Sequence, residues 1–498
     1  MNSFMNNLTN ATNYTLTENG ALSHHTSTSG IMDLFALGAA YRRRSEDDCV
    51  LLFKNAFKED QTLALRCLFY LADCRGGQGE RRFFRVCYKW LANNYPAVAN
   101  KNLNLISEYR RWDDLIYATV DTPVRANMLD IVKHQLALDV DCKTPSLLAK
   151  WLPSENASSR ETKRVAEIIR NHLGMTHKEY RKTLSVLRAR INVLERLMSS
   201  NQWDKIEFDK IPSKAGLVYR NAFARRDIID KNYENFAKDK TTKVNADTLY
   251  PYEIVGEAIK YCSYSYWDRS KITADATQRA MLDKYWENQK DVLGGKPFNA
   301  ICVCDTSGSM RGSNKMAPIN VAIGLSMYCA ERAGGPFKDH YISFSSRPQL
   351  IKVEGVDFID KVNRIYQTNL CEDTNLEATF KLLKSIALKS NPEDIPEQII
   401  VISDMEVNAM TTECWNKDQL VTGMEAIRQE WERDGLKFPK LVYWNVESRQ
   451  NNFLDLGPNV SYISGASPSF FEMLLTGKTG WDLLIETICA DRYQAITA

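Results

Sequence analysis

The chain lacks the marks of several protein classes. It contains no run of 18 apolar residues, so no transmembrane helix is expected. Its first twenty residues are polar, with no basic start and no apolar stretch behind it, so no signal peptide is expected either. The Asn-x-Ser/Thr sequons at Asn7, Asn10 and Asn13 then read as part of a polar segment, since they would matter only in a secretory protein. Twelve cysteines are present but no CxxC pair, and the six histidines are scattered, which leaves nothing with the clustering of a zinc site. The one close pair, Cys302 and Cys304, sits in an apolar run. Such cysteines behave as small hydrophobes, and reduced thiols in a cytoplasmic protein are the expectation. Net charge is also scarce, at +2, and decides nothing about nucleic acid by itself.

What is present is an ordinary globular composition, 44% hydrophobic and 25% charged over 498 residues. Domains run to roughly 100–200 residues, so a multidomain chain is expected. It divides into three parts. Residues 1–30 are rich in Asn, Thr and Ser and read as extended or partly disordered. Residues 31–285 read as helix after helix, as in DDCVLLFKNAFKED, QTLALRCLFYLADC and ERRFFRVCYKWLANN. Tyr180, Leu184, Leu187, Ile191, Leu194 and Met198 recur at helical spacing and predict one continuous helix. Successive short amphipathic helices of this kind predict a HEAT-like helical-repeat solenoid, although a compact helical domain would read similarly.

Residues 296–498 change character. FNAICVC, HYISF, QLIKV, QIIVIS, KLVYWNV and VSYIS are apolar runs of strand length. Between them lie helical stripes, Leu376, Phe380, Leu383 and Ala387 in one and Leu420, Met424, Ile427 and Trp431 in another. Near-continuous apolar strands alternating with amphipathic helices predict a mostly parallel, Rossmann-like sheet covered on both faces, with HYISF and QLIKV as an antiparallel hairpin at one edge. The fold class is therefore α plus α/β.

In such a sheet ligands gather where strands end. Asp305, Ser307 and Ser309 follow the first apolar strand, Asp404 follows QIIVIS, and Thr374 precedes a helical stripe. All offer hard oxygen, the donor type for Mg²⁺ or another divalent cation. Alone, Asp-x-Ser-x-Ser is equally a turn and helix cap. The set of Asp305, Ser307, Ser309, Thr374 and Asp404 resembles the metal-ion-dependent adhesion site of von Willebrand factor A domains. That resemblance implies a bound ion with one open position for an acidic group of a protein partner, and a binding module rather than an enzyme.

Four segments of the preceding region resemble a Ro-like family of bacteria and phages: Thr17-Glu18-Asn19-Gly20-Ala21, Arg75-Gly76-Gly77-Gln78-Gly79-Glu80-Arg81-Arg82, Arg111-Trp112-Asp113-Asp114-Leu115 and Thr248-Leu249-Tyr250-Pro251-Tyr252. The family joins a TROVE-like helical region to a von Willebrand A domain. The resemblance implies kinship with the Ro autoantigen, a ring of helical repeats closed by the A domain, and binding of non-coding or structured RNA.

The charge distribution bears on RNA independently. Between Arg160 and Arg226 stand 16 Lys and Arg against 7 Asp and Glu. Lys178, Lys182 and Arg196 fall opposite the apolar stripe and Arg181 and Arg188 flank it; Lys163, Arg164 and Arg170 precede it. A positive face of this kind neutralises phosphates, and equally is the solvated face of an ordinary helix. The glycine-rich Arg75–Arg82 stretch lacks the Lys-Ser/Thr of a P-loop and reads as an anion-binding loop or an interhelix turn. Trp112-Asp113-Asp114 reads as a cation site or a helix cap over a buried tryptophan. The expected protein is monomeric, cytoplasmic, free of membrane and non-enzymatic. A metal-dependent protein scaffold without RNA, and an Mg²⁺-dependent nuclease using Asp305, Asp404 and Glu406, are the other readings.

Overall fold

The computed structural model describes residues 12–226, 231–262, 272–312, 316–367, 373–416 and 419–498. From Gly30 to Glu287 its regular elements are helices. The three stretches of helical period fold as Glu46–Glu59, Gln61–Ala72 and Arg82–Asn94. Local chemistry sets their ends. Ser45 and Asp48 form a reciprocal capping box, and Asp60 ends the first helix and caps the second by accepting from the Leu63 amide.

The stripe from Tyr180 to Met198 is two helices, not one. His177–Arg190 ends, Asn192 takes a left-handed backbone (φ 55°), and Leu194–Ser199 follows. Asparagine enters this region more readily than most residues. The apolar spacing survives the break because Tyr180, Leu184, Leu187 and Leu194 all face the core.

Within the N-terminal polar stretch, strands β1 (Tyr14–Leu16) and β2 (Leu22–His24) pair antiparallel. Asn7 and Asn10 lie outside the described residues. Asn13 is buried, and its amide exchanges two hydrogen bonds with the Thr26 backbone.

The C-terminal part is a six-stranded sheet, built from β3 (Ala300–Cys304), β4 (His340–Ser343), β5 (Leu350–Lys352), β6 (Gln398–Ser403), β9 (Lys440–Asn445) and β10 (Val460–Ser464), with β7 (Cys414–Asn416) and β8 (Gln419–Val421) forming a separate pair. The order is β10-β9-β6-β3-β4-β5, parallel throughout except for the edge strand β5. β3, β6 and β10 are buried along their whole length, which explains their unbroken apolar runs. The helix expected from Leu420 begins at Gly423, because Leu420 belongs to β8.

Helix Pro318–Arg332 is buried on all sides from Pro318 to Ala330, between the sheet and helix Pro251–Ile259 of the helical part. Gly324 permits the approach: a Cβ there would lie 2.8 Å from the Tyr252 amide nitrogen. Helix Gly30–Leu37 packs on β10 instead. There Ser464 Oγ donates to the Phe35 carbonyl (3.0 Å) and accepts from the Ala39 amide (3.1 Å). Both ends of the helical part therefore rest on the sheet part. Among the described residues, no helix is long and apolar enough to cross a membrane.

Candidate functional site

β3 and β6 are neighbours, yet the chain leaves β3 toward one edge of the sheet and continues from β6 toward the other. Their carboxyl ends flank a topological switch point, where diverging connections leave a crevice. Asp305 directly follows β3, and Asp404 directly follows β6. The register carries past the strand end, since the Asp305 amide donates to the Ile402 carbonyl at 3.1 Å.

Asp305 is fully buried. Its Oδ1 accepts from the Ser307 amide (2.9 Å), and its Oδ2 accepts from Ser403 Oγ (2.6 Å). The hydroxyls of Ser307 and Ser309 lie 3.0 Å apart. Burial pushes the Asp305 carboxyl up to about 7, and the Asp404 charge adds to the shift. Asp404 is buried as well; its Oδ1 accepts from the Glu406 amide (3.2 Å) and its Oδ2 from Arg449 Nη2 (2.5 Å). Between them Met405 takes a left-handed backbone (φ 64°), uncommon without glycine, with its amide held by Ser403 Oγ at 3.0 Å. Thr374 is buried and its carbonyl accepts from the Asn408 amide (3.0 Å), which ties its loop to the chain four residues beyond Asp404. The structure thus links Asp305, Ser307 and Ser309 directly, sets Asp404 beside them, and brings the Thr374 loop to the same sheet end.

The donor set fits a hard divalent cation. Two buried carboxylates, Asp404 close enough to raise Asp305, are balanced by one arginine, and the remaining groups are hydroxyls. Thr306 Oγ1 and Glu406 Oε1 are buried here without a hydrogen-bond partner. Among the described residues no group of three His, Cys, Asp or Glu is arranged as metal ligands, so a cation here would depend on the hydroxyls. His340 starts β4 at the opposite end of the sheet, where its Nδ1 meets the Lys338 carbonyl (2.7 Å).

Two features of this site were not anticipated. Arg449, in the loop after β9, joins Asp404 to Glu18, whose Oε2 lies 2.7 Å from Nη1. The segment around Glu18 is strapped across the sheet end. The Glu18 amide donates to Glu406 Oε2 (2.6 Å), Thr17 Oγ1 to the Val407 carbonyl (2.7 Å), and Asn19 Nδ2 to the Glu406 carbonyl (2.6 Å). Burial pushes the Glu406 carboxyl up to about 7, with Asp404 and Glu18 nearby adding to the shift. A basic residue just past a neighbouring strand's carboxyl end was the available signal for Arg449.

The basic candidates divide. Lys163, Lys178, Arg181, Lys182 and Arg196 are exposed. Arg164 is held by Asp121 and Glu161 (2.8 and 2.6 Å), and Arg170 by Glu155 (2.9 Å) and the Met175 carbonyl (3.0 Å). Arg188 donates to the Ala149 and Leu152 carbonyls and to Ser154 Oγ. These three arginines brace neighbouring segments. Arg188 also lines a groove of about 750 Å³ with Arg111, Lys150, Trp151, Arg196, Lys214 and Tyr219 among others, Glu195 being the one acid among its described lining residues. A second groove of about 330 Å³ shares Arg188 and Arg196 with it. Arg111 lies over the Trp151 ring at 4.1 Å, and Lys150 at 5.5 Å.

The glycine-rich loop is a junction. Gln78 is buried, donating to Tyr70 Oη (2.8 Å) and accepting from the Ser467 amide (3.1 Å). A Cβ at Gly77 would stand 1.8 Å from the Tyr70 carbonyl oxygen, and one at Gly79, whose φ is +66°, 2.2 Å from Tyr250 Oη. Asp113 and Asp114 neither cap their helix nor await a cation: Arg81, Arg85 and Arg111 pair with Asp113, and Arg81, Arg85 and Arg110 with Asp114. Trp112 is only half-buried.

Comparison with known proteins gives few named functions. Residues 17–120 and 126–293 match the family described as Domain of unknown function (DUF2828), and residues 299–489 match Domain of unknown function (DUF7788). An uncharacterized protein of Acanthamoeba polyphaga mimivirus is 28% identical over 490 residues, covering 90% of this chain and 81% of that protein. The crystal structure of the Deinococcus radiodurans RO (RSR) protein superposes with a TM-score of 0.48 and 13% identity, covering 95% of this chain and all of that one.

Proposed function

The chain belongs to the family described as Domain of unknown function (DUF2828), and we propose that within it this protein is a Ro-like, non-enzymatic RNA-binding protein. Its helical part would hold non-coding or structured RNA. Its sheet part, a von Willebrand A-type domain, would close the helices into a ring and engage an acidic protein partner through Mg²⁺.

The observation that carries the RNA reading is the groove beside the exposed cations. It brings Lys150 and Arg196, together with Arg111 and Lys214, which are ion-paired with Asp113 and Glu253, into one lining with two aromatic rings, Trp151 and Tyr219. Cations that track phosphates, interleaved with rings on which bases stack, are what a sequence-tolerant RNA surface needs. Arg181 lines the second groove, which shares Arg188 and Arg196 with the first, and Lys163, Lys178 and Lys182 are exposed on the same two helices, Arg160–His172 and His177–Arg190. The ring reading draws support from Gly30–Leu37, at the start of the helical part, and Pro251–Ile259 and Ala276–Glu287, at its end, which all pack on the sheet part.

Asp305, Ser307, Ser309, Thr374 and Asp404 would hold the ion. Its chemistry would be that of a positive centre for a carboxylate ligand. Asp305 and Asp404 supply the negative charge, while Ser403 and the Ser307 amide hold Asp305 in place.

Gel-shift titration of structured and single-stranded RNA across a series of salt concentrations tests the proposal. Binding that weakens linearly in log salt is expected, with a slope of about 0.7 per neutralised phosphate on a single strand. No binding, or binding without a salt slope, overturns it and leaves the metal-dependent protein scaffold.

A further inference from the structure

Resting on the cation-site reading above, we infer that Arg449 is a built-in competitor for that site, occupying Asp404 until a divalent cation displaces it, and that Glu18 is the counter-ion that receives it.

Asp404 has a fully buried side chain, and its Oδ2 accepts from Arg449 Nη2 at 2.5 Å. The other arm of the guanidinium, Nη1, lies 2.7 Å from Glu18 Oε2. One cation therefore bridges a candidate metal ligand and a carboxylate outside the ligand set. The arginine keeps its charge at every accessible pH, so only movement frees Asp404. Its position at Asp404 is imperfect: Nε is buried and finds no partner. A divalent cation brings twice the charge to two buried carboxylates. Arg449 has somewhere to go, since Glu18 is held close by three hydrogen bonds from its own segment to Glu406 and Val407. Glu18 is 38% exposed at its side chain, so the displaced pair ends in a wetter place than Asp404. The strap that carries Glu18 is thus part of the cation site's control, and the Thr17–Ala21 segment acquires a use that its polar composition does not announce.

A purely structural Arg449 and a competing one give opposite results. Mn²⁺, read by its paramagnetic resonance signal, is titrated into the full chain and into Arg449→Gln, Arg449→Lys, Glu18→Gln and Asp305→Ala. Arg449→Gln is expected to bind Mn²⁺ about tenfold more tightly than the unmodified chain, even if it melts at a lower temperature. Arg449→Lys, which cannot fork between two carboxylates, should fall between them. Glu18→Gln should bind about threefold more weakly, because the displaced guanidinium loses its receiver. Asp305→Ala should bind none. Equal or weaker Mn²⁺ binding by both Arg449 variants overturns the competitor role while leaving the cation site standing. No Mn²⁺ binding by the unmodified chain or by either Arg449 variant overturns both.

Discussion

Among the described residues, two pairs of buried carboxylates, Asp113 with Asp114 in the helical part and Asp305 with Asp404 in the sheet part, are treated in opposite ways. In the helical part, Asp113 and Asp114 are shared among Arg81, Arg85, Arg110 and Arg111. Burial raises the Asp114 carboxyl, but Arg110, Arg85 and Arg81 outweigh it and hold the group below the usual carboxylate range. In the sheet part, Asp305 and Asp404 face one arginine, and Asp305 is pushed up to about 7. The first cluster is over-supplied with positive charge and locks the Gly79 junction through Arg110, which donates to the Ala72 and Gly79 carbonyls. The second is short of it. A protein builds the first kind of cluster to stay folded, and the second kind stays useful only where something else brings charge.

Breaking the two clusters should therefore have different consequences. Asp114→Ala leaves three arginines facing one another with one carboxylate fewer, and should lower the unfolding free energy by about 3–5 kcal/mol in a denaturant titration. Asp305→Asn should do the reverse in the absence of divalent cation, raising it by about 1–2 kcal/mol at pH 8, because one of two crowded charges is gone. The same substitution should abolish cation binding and leave RNA affinity unchanged. If Asp305→Asn destabilises as much as Asp114→Ala, the contrast between the clusters fails.

Acidity sharpens the comparison further. Asp305 and Glu406 have folded-state values raised to about 7, above those of an unfolded chain, so the folded state holds extra protons between roughly pH 4 and 7. Their contribution to stability is present at low pH and is lost as pH rises through about 7. Melting temperature without divalent cation should fall by a few degrees from pH 5.5 to 8, and saturating Mg²⁺ should flatten that fall. Cation affinity itself should rise over the same interval, as the proton leaves Asp305. The smallest effect on stability belongs to the exposed cations. Lys178→Ala, Lys182→Ala and Arg196→Ala combined should change the unfolding free energy by less than about 0.5 kcal/mol, yet reduce the salt slope of RNA binding by about 2.

Much of the architecture was legible in the chain because each element carried its own local signal. The strands were apolar runs, and β3 and β6 each end at an aspartate. The capped helices announced themselves in period and cap together. What escaped were features set by distant partners. Arg449 carried only its place just past a strand end as a signal, with no mark of Asp404 as its companion, and nothing near Glu18 marks its neighbour as Glu406. The Tyr180–Met198 stripe hid a break because the break preserved the burial of its apolar residues. Asp113 and Asp114 read as a cap or a cation site because two of the arginines that use them, Arg81 and Arg85, come from a separate stretch of sequence. Arg164, Arg170 and Arg188 counted as surface charge until their partners came into view.

The strap across the sheet end also sets a timetable. Glu18 and Glu406 are 388 residues apart. At translation speeds of about 5–20 residues per second, the N-terminal hairpin waits roughly 20–80 s for the strand end it will cover. The helices can begin to pack meanwhile, since neighbours such as Glu46–Glu59 and Gln61–Ala72 meet locally. The candidate cation site is therefore assembled late in synthesis, and a chain truncated before Asp404 would leave the ribosome with its strap unattached.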